Sequence, residues 1–281
     1  MSGTVLLVVL LGAFCHASWN AVIKRTGDKF FSAVGLGQVG FLIALLGLPF
    51  VPLPPATAFV YIIGSVLMQA LYMVLLAACY KAGDMSETYP IMRGTPPLII
   101  AMISAPLLGE AIGLMSWLGI IIICMGVLSM ALEARQRNGG GSYRSILLAL
   151  LTALVIAACA IIDGLGARLA GNAIAYTLWL FAISWIPLSA WVLVREPERF
   201  IHHMTTYWRA MLIGGIGAVG AYTTILWAMT MAPIAIVSAV RETAILFAML
   251  ISVVILKEKV GLYRGLAAVL IVIGALVLRL A

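Results

Sequence analysis

Ten long apolar runs, separated by short stretches of charged residues, proline and glycine, fill almost the whole chain. A helix needs about 20 apolar residues to cross the hydrocarbon core of a bilayer, and each run has roughly that length. We therefore predict ten transmembrane spans, numbered in chain order, at 4–24, 30–50, 57–80, 86–108, 112–132, 144–167, 173–194, 208–231, 234–256 and 261–280. Little remains for a soluble domain, so the function is expected to reside within the helical bundle.

The second half of the chain repeats the first. When residues 85–130 are aligned with 233–278, a shift of 148 positions, 13 of the 46 pairs are identical. The identities include polar and glycine positions that apolar helices rarely share by chance: Arg93/Arg241, Thr95/Thr243, Ser104/Ser252, Glu110/Glu258, Gly113/Gly261 and Gly126/Gly274. A weaker correspondence pairs Asn20 with Asp163.

The repeat predicts the architecture. We expect a first five-helix repeat at 1–132, a linker loop at 133–143 and a second five-helix repeat at 144–281. Because five is odd, the two repeats enter the membrane in opposite senses. The predicted fold is an all-α membrane protein of ten helices, built from two inverted repeats around a central cavity, and such folds bind their substrates near the midplane between the repeats.

Composition agrees with a membrane protein, since 64% of the residues are hydrophobic and 10% are charged. The formal charge of +7 comes with no basic stripe, so we expect no nucleic-acid partner. All four cysteines lie within apolar runs at spacings that match no metal site, and we expect neither a metal nor a cofactor. Only three residues, none of them basic, precede the first run, so no cleaved signal peptide is expected.

Three sequence segments resemble a known family. The strings PLLGEAIGLMSWLGIIIICMGVLSM and VILKEKVGLYRGLAAVLIVIGALVL each end one repeat, and HASWNAVIK lies in span one. They resemble the EamA type of the drug/metabolite transporter superfamily. The resemblance implies ten helices around a cavity and alternating-access movement of small metabolites, often exported amino acids or related compounds. It also implies that both termini lie in the cytoplasm.

The distribution of positive charge implies the opposite orientation. The connections that follow spans one, three, five, seven and nine contain thirteen cationic residues, Lys24, Arg25, Lys29, Lys81, Arg135, Arg137, Arg144, Arg195, Arg199, Arg209, Lys257, Lys259 and Arg264. The other side has two, Arg168 and Arg279. Positive loops stay inside. We follow this count, and expect the termini of a bacterial cytoplasmic-membrane protein to lie outside.

Two arginines lie deep within their spans. Arg93 and Arg241 are each about 12 Å from the start of a span, and an arginine near the bilayer centre costs roughly 2.5–3.5 kcal/mol. Two converging guanidinium groups would suit a carboxylate or phosphoryl group of a substrate. The alternative is internal neutralisation, by Glu242 beside Arg241 or by Glu87 two turns before Arg93.

Other polar and aromatic residues complete the predicted site. Asn20 and Lys24 share a face of span one, although Lys24 could equally extend to the membrane interface. Asp163 could accept a coupling proton or pair with Arg168. Aromatic walls are predicted from Trp19, Tyr72, Tyr89 and Tyr222, for which core packing is the alternative.

Span four contains four prolines, whereas its repeat partner has none in its interior. Each proline removes a helical hydrogen bond, and such breaks are tolerated at depth only beside protein or a cavity. We interpret span four as a bent gate helix, with Pro90, Pro96 and Pro97 as its hinge.

Together these features predict a secondary transporter, because no Walker-type loop accompanies them. We expect it to export small amphiphilic metabolites bearing an acidic group, such as amino acids or related compounds. We expect the protein to be a monomer. Its expected partners are the substrate, the lipid bilayer, and a proton or an exchanged solute. The alternatives are a lipid flippase, a channel-like facilitator and an intramembrane enzyme.

Overall fold

The computed structural model describes residues 1–24, 26–137, 142–256 and 261–281. The described chain folds into helices α1 (Gly3–Lys24), α2 (Lys29–Gly47), α3 (Ala56–Ala82), α4 (Met85–Gly94), α5 (Pro96–Leu108), α6 (Leu114–Arg137), α7 (Tyr143–Ala170), α8 (Ala173–Ser184), α9 (Ile186–Arg195), α10 (Pro197–Thr206), α11 (Trp208–Met231), α12 (Ile234–Arg241), α13 (Ala244–Leu256) and α14 (Leu262–Leu280). A single 3₁₀ turn, Leu48–Phe50, follows α2.

The predicted spans are present as helices, and two of the breaks within them flank the site. In the described residues nine segments are long and apolar enough to cross a membrane. The remaining predicted span, span four, is divided into α4 and α5 at Thr95, where Pro96 and Pro97 begin the second piece. Its repeat partner is also interrupted, between α12 and α13, without a proline. There the amides of Glu242 and Thr243 bond to carbonyls three residues back, and the Thr243 hydroxyl donates to Val240 O.

The packing of the helices follows the repeat. The most extensive interhelical contacts are α6 with α14, α3 with α7, and α1 with α11. Exchanging each span with its counterpart in the other half turns the α3–α7 pair into the α11–α1 pair and leaves the α6–α14 pair unchanged. This is the pattern expected of two inverted repeats related by a pseudo-two-fold axis.

Glycines allow the last helices of the two repeats to approach closely. A Cβ atom added at Gly274 would lie 2.8 Å from the carbonyl oxygen of Gly119, and one added at Gly126 would lie 3.1 Å from that of Ala267. Small residues permit this backbone contact between membrane helices. The α6–α14 pair is therefore a tightly packed seam beside the central helices.

The antiparallel spans give the bundle two faces. We call the face with both chain ends and the turns 48–55, 109–113, 171–172 and 232–233 the terminal face. The opposite face, with the connections 83–84 and 196–207, is called the basic face.

On the basic face, α10 packs against the start of α2. His203 is buried there, and its Nε2 atom lies 3.0 Å from the hydroxyl oxygen of Ser32. Burial lowers the pKa of His203 below its usual value, an effect that Asp28 opposes and His202 reinforces. We therefore expect this histidine to be neutral in the folded protein at neutral pH.

Candidate functional site

The two arginines of the repeat lie at equivalent breaks within their spans. Arg93 is in the last turn of α4 and Arg241 is the last residue of α12, and in both spans the helix is interrupted just beyond. The side chains are 12% and 22% exposed, and the two guanidinium groups are within electrostatic range of each other. The sequence prediction that they converge on one region therefore agrees with the geometry.

Arg93 is neutralised by a carboxylate of the other repeat. Its Nε atom donates to Glu242 Oε2 at 3.1 Å, and its Nη2 atom is 3.1 Å from Glu242 Oε1. The Glu242 side chain is only 3% exposed. Paired hydrogen bonds of this kind join guanidinium and carboxylate groups strongly. For Arg93, the structure thus shows the internal neutralisation that the sequence left open, with Glu242 rather than Glu87 as the partner.

Arg241 has no comparable partner. Its Nε atom is 4.0 Å from Glu242 Oε1, too far for a hydrogen bond. The same Nε atom is buried and has no hydrogen-bond acceptor among the described residues. A buried donor left without a partner costs about 1–3 kcal/mol. Arg241 is therefore the cation of the site with an open hydrogen-bonding position.

Asp163 accepts hydrogen bonds from two tyrosine hydroxyl groups. Tyr176 donates to its Oδ1 atom at 3.0 Å and Tyr222 donates to Oδ2, and Ser65 is a further polar neighbour. Arg241 is within electrostatic range of this group. The alternative pairing with Arg168 is not formed, because Arg168 lies toward the end of α7 and bonds elsewhere.

Helix α1 contributes a histidine and an indole. His16 lies within electrostatic range of both Arg93 and Arg241, and the Trp19 ring meets the His16 ring edge-on at 5.1 Å. The indole Nε1 atom of Trp19 is a second buried donor with no acceptor among the described residues. Asn20 is exposed and donates to the carbonyl of His16 at 2.7 Å. The side chain of Lys24 lies outside the described part of the chain.

Tyrosines surround the arginines on the side of the basic face. Tyr72 on α3 is within electrostatic range of Arg93, Arg241 and Tyr89. Tyr89, one turn before Arg93, is 37% exposed, and Tyr80 is exposed to a similar extent. Tyr222 packs its ring edge against Phe181 at 5.7 Å. The tyrosines predicted from the sequence therefore belong to the same region.

Pro90, Pro96 and Pro97 are all buried. Pro90 lies within α4, and the other two begin α5 directly after the break at Thr95. The break between α4 and α5 lies two residues after Arg93, as the positions of Pro96 and Pro97 indicated. Whether these residues act as a hinge during transport stays a prediction.

On the terminal face, one ion pair joins the repeats. Arg168 Nη2 is 2.5 Å from Glu110 Oε1, and Glu110 also accepts the backbone N–H of Ile234, at the start of α12. Arg168 further donates to the carbonyls of Met229 and Ala232. We call this cluster the terminal junction. Glu258, the repeat partner of Glu110, lies outside the described residues.

Residues 3–132 and 143–280 both match the EamA-like transporter family. The chain belongs to this family. It is therefore a multi-pass membrane protein and a transporter of the drug/metabolite type, as the resemblance in its sequence implied. The family is one of transporters and not of enzymes, which favours the transport interpretation over an intramembrane enzyme.

The fold of this EamA protein has a counterpart among solved structures. One crystal structure is similar with a TM-score of 0.76 and 19% sequence identity, covering 100% of this chain and 98% of the other. At that identity the likeness concerns the fold alone. None of the curated proteins compared with the chain matches it.

Sequence reasoning missed several residues of the site. Ser65 and Tyr176 were not singled out, and their only signal was a polar group within an apolar run. His16 lies one turn before Asn20 on the same helix face and was not predicted as a site residue either. The terminal junction was also missed, although Glu110 stood out as a repeated position.

Proposed function

We propose that this EamA protein is a secondary transporter of small amphiphilic metabolites that bear an acidic group, such as amino acids or related compounds. It moves them by alternating access, in the export direction, across the bacterial cytoplasmic membrane. The observation that carries the proposal is the buried, unpartnered Nε atom of Arg241 at the midplane.

The charges of the site support an acidic substrate. Glu242 compensates Arg93, and Asp163 is the carboxylate within range of Arg241. Arg241 nevertheless keeps a buried donor without an acceptor, which a carboxylate or phosphonate oxygen of a substrate can pair with once the site opens in the transport cycle. A hydrogen bond to a charged group contributes about 1.5–3 kcal/mol, which is enough to select acidic solutes.

The surroundings of Arg241 support an amphiphilic substrate. Trp19, Tyr72, Tyr89 and Tyr222 present aromatic surfaces with polar tips, and the indole N–H of Trp19 offers a second open donor. A solute with an apolar body and one acidic end would contact both kinds of surface. A permanently cationic solute would meet the charge of Arg241 at low dielectric, where repulsion is least screened.

The export direction rests on the two faces of the bundle. The terminal junction joins helices of both repeats on the terminal face, whereas Tyr80 and Tyr89, near the basic-face ends of α3 and α4, are exposed. The positive-inside rule assigns the basic face to the cytoplasm. A site that can be reached from the cytoplasm is suited to loading a substrate for export.

Orientation can be tested separately from transport. A reporter fused after Ala281 should be active only in the periplasm, and one inserted at position 140 only in the cytoplasm. The reverse result would contradict the proposed orientation and remove the support for export.

The test of function is solute flux in proteoliposomes. A panel of labelled amino acids, organic acids and an aminophosphonate should include solutes that the wild-type protein moves and the Arg241→Gln variant moves at least tenfold more slowly. Quaternary ammonium compounds should not compete. Transport of a quaternary cation, or lipid scrambling without solute flux, would contradict the proposal.

A further inference from the structure

Asp163 is a buried carboxylate held by tyrosine hydroxyl groups from two different helices. Tyr176 lies on α8 and Tyr222 on α11, and the aspartate is only 2% exposed. Ser65 on α3 is a further polar neighbour, and its hydroxyl oxygen accepts a hydrogen bond from Gln69 at 3.0 Å. An ionised carboxylate accepts hydrogen bonds at both oxygens, whereas a protonated one must donate from one of them. Two hydroxyl donors, one at each oxygen, therefore suit the ionised form of Asp163.

The charged and titratable groups around Asp163 leave the site without net charge. Among the described side chains of the helices that pack against α7, α12 provides Arg241, and α4 provides Arg93, which Glu242 neutralises. The buried Glu87 also belongs to α4, but it lies two turns before Arg93, toward the basic face. The tyrosines and Ser65 are neutral, Cys159 lies one turn earlier on α7 itself, and α5 has no titratable side chain. Two arginines thus face two carboxylates.

An acidic substrate would disturb this balance. A carboxylate bound to Arg241 adds a third negative charge to a region of low dielectric, where an uncompensated charge is costly. Glu242 is already held by two contacts to Arg93. Asp163 forms no ion pair with another described residue, and Arg241, the cation within its range, would be shared with the substrate.

We propose that Asp163 is the proton-binding site of the transporter, and that one proton binds there together with each anionic substrate. This inference rests on the proposed function, because it takes an acidic solute as the ligand of Arg241. The proton comes from water and forms an O–H bond with one carboxylate oxygen of Asp163. That O–H group donates to a neighbouring hydroxyl oxygen, and the proton returns to water when the substrate leaves.

Thermodynamic linkage fixes the sign of the effect. If an acidic solute favours protonation of Asp163, protonation must favour binding of the solute by the same factor. The affinity for an anion should therefore rise as the pH falls toward the protonation of Asp163. Asp163→Asn imitates the neutral aspartic acid, so it should bind the anion with an affinity that no longer depends on this proton.

The test uses phenylacetate as the probe and the neutral phenylacetamide as its matched control. Calorimetric titrations in two buffers with different ionisation enthalpies give the number of protons taken up per molecule bound. If Asp163 is ionised before phenylacetate is added, we expect the wild type to take up nearly one proton for each phenylacetate bound. Asp163→Asn should bind phenylacetate without proton uptake. Tyr61→Phe, on α3 but outside the site, should behave as the wild type.

Two results would overturn the assignment of Asp163. One is phenylacetate binding without proton uptake in the wild type, and the other is equal uptake in Asp163→Asn. If phenylacetate does not bind at all, the acid preference of the proposed function fails. An infrared titration of the ligand-free protein then still tests whether Asp163 binds a proton. A carboxylic-acid C=O band should then appear in acidic buffer in the wild type and be missing in Asp163→Asn.

A milder variant covers the case in which Asp163→Asn does not fold. Tyr222→Phe removes one donor to the ionised carboxylate, so the infrared band should appear at a higher pH than in the wild type. Tyr61→Phe should leave the titration unchanged. A band that is absent in the wild type, or that Tyr222→Phe does not shift, would contradict a proton site at Asp163.

Discussion

Arg93 and Arg241 occupy the same position in the two repeats, yet their surroundings differ. Arg93 is followed by Gly94 and is held by two contacts to Glu242, whereas Arg241 is followed by Glu242 and keeps a buried donor without an acceptor. One carboxylate, present in only one repeat, neutralises the arginine of the other. Duplication therefore supplied two equivalent cations, and a single acidic residue made one structural and left the other open to a ligand.

The largest effect is expected from removing the shared carboxylate. Glu242→Gln leaves Arg93 charged and buried without its partner, and breaking a buried ion pair costs about 3–5 kcal/mol. Thermal unfolding of the purified protein should show Tm lowered by about 10 °C. Glu198→Gln, on exposed α10, should have little effect. If the double variant Arg93→Gln/Glu242→Gln is no more stable than Glu242→Gln, the pairing is not the reason for the loss.

The second effect separates the two arginines. Arg241→Gln should lower Tm less than Arg93→Gln, because Arg241 has no paired hydrogen bonds to a carboxylate, but it should lose flux of an acidic substrate by about 10- to 100-fold, because it removes a charged hydrogen-bond donor. Arg93→Gln should lower Tm clearly as well as flux. Parallel measurements of Tm and flux, with exposed Arg195→Gln as the control, test this division. Equal losses of stability in both variants would mean that the arginines are equivalent.

A third comparison concerns two ion pairs that join the repeats within the described part of the chain. The Arg168 side chain of the terminal junction is 29% exposed, so its pair with Glu110 should contribute less than the Arg93–Glu242 pair. Glu110→Gln keeps an acceptor for Ile234 N but loses the charge. We expect a loss of about 1 kcal/mol in stability and a several-fold change in flux. A loss as large as that of Glu242→Gln would reverse the ranking.

The smallest effect concerns pH, away from the midplane. His203 has a lowered pKa because it is buried, so the folded state favours the neutral ring. The stability that this provides is present above the pKa of the unfolded state, about 6.5, and is lost as the pH falls through it. Acidification from pH 7.5 to about 5.5 should lower Tm by on the order of 1 °C more in the wild type than in His203→Gln. An identical pH dependence in both proteins would exclude this contribution.

Much of the fold could be predicted from local features of the sequence. The ten spans follow from the length of the apolar runs, the inverted repeat from shared polar positions, and the break at Thr95 from Pro96 and Pro97. The break beyond Arg241 was not predicted, because it depends on i to i+3 hydrogen bonds and the Thr243 hydroxyl, for which no proline gives a signal.

The residues of the site were predicted better than their partners. Glu242 follows Arg241 in the chain but pairs with Arg93, since consecutive residues of a helix point in different directions. Asp163 and Arg168 are five residues apart and diverge for the same reason. Partners that come from another helix, such as Glu110 for Arg168 and Tyr176 for Asp163, depend on how the repeats are placed together, and no spacing along the chain encodes that.

The most direct test of the central claim is the charge preference of binding at Arg241. Phenylacetate and phenyltrimethylammonium have the same aromatic ring and opposite charges, and their affinities can be measured by calorimetry on the wild type and Arg241→Gln. The account predicts that the wild type binds phenylacetate and not the cation, and that Arg241→Gln weakens phenylacetate binding at least tenfold. Tight binding of the cation, with phenylacetate binding unaffected by the substitution, would contradict it.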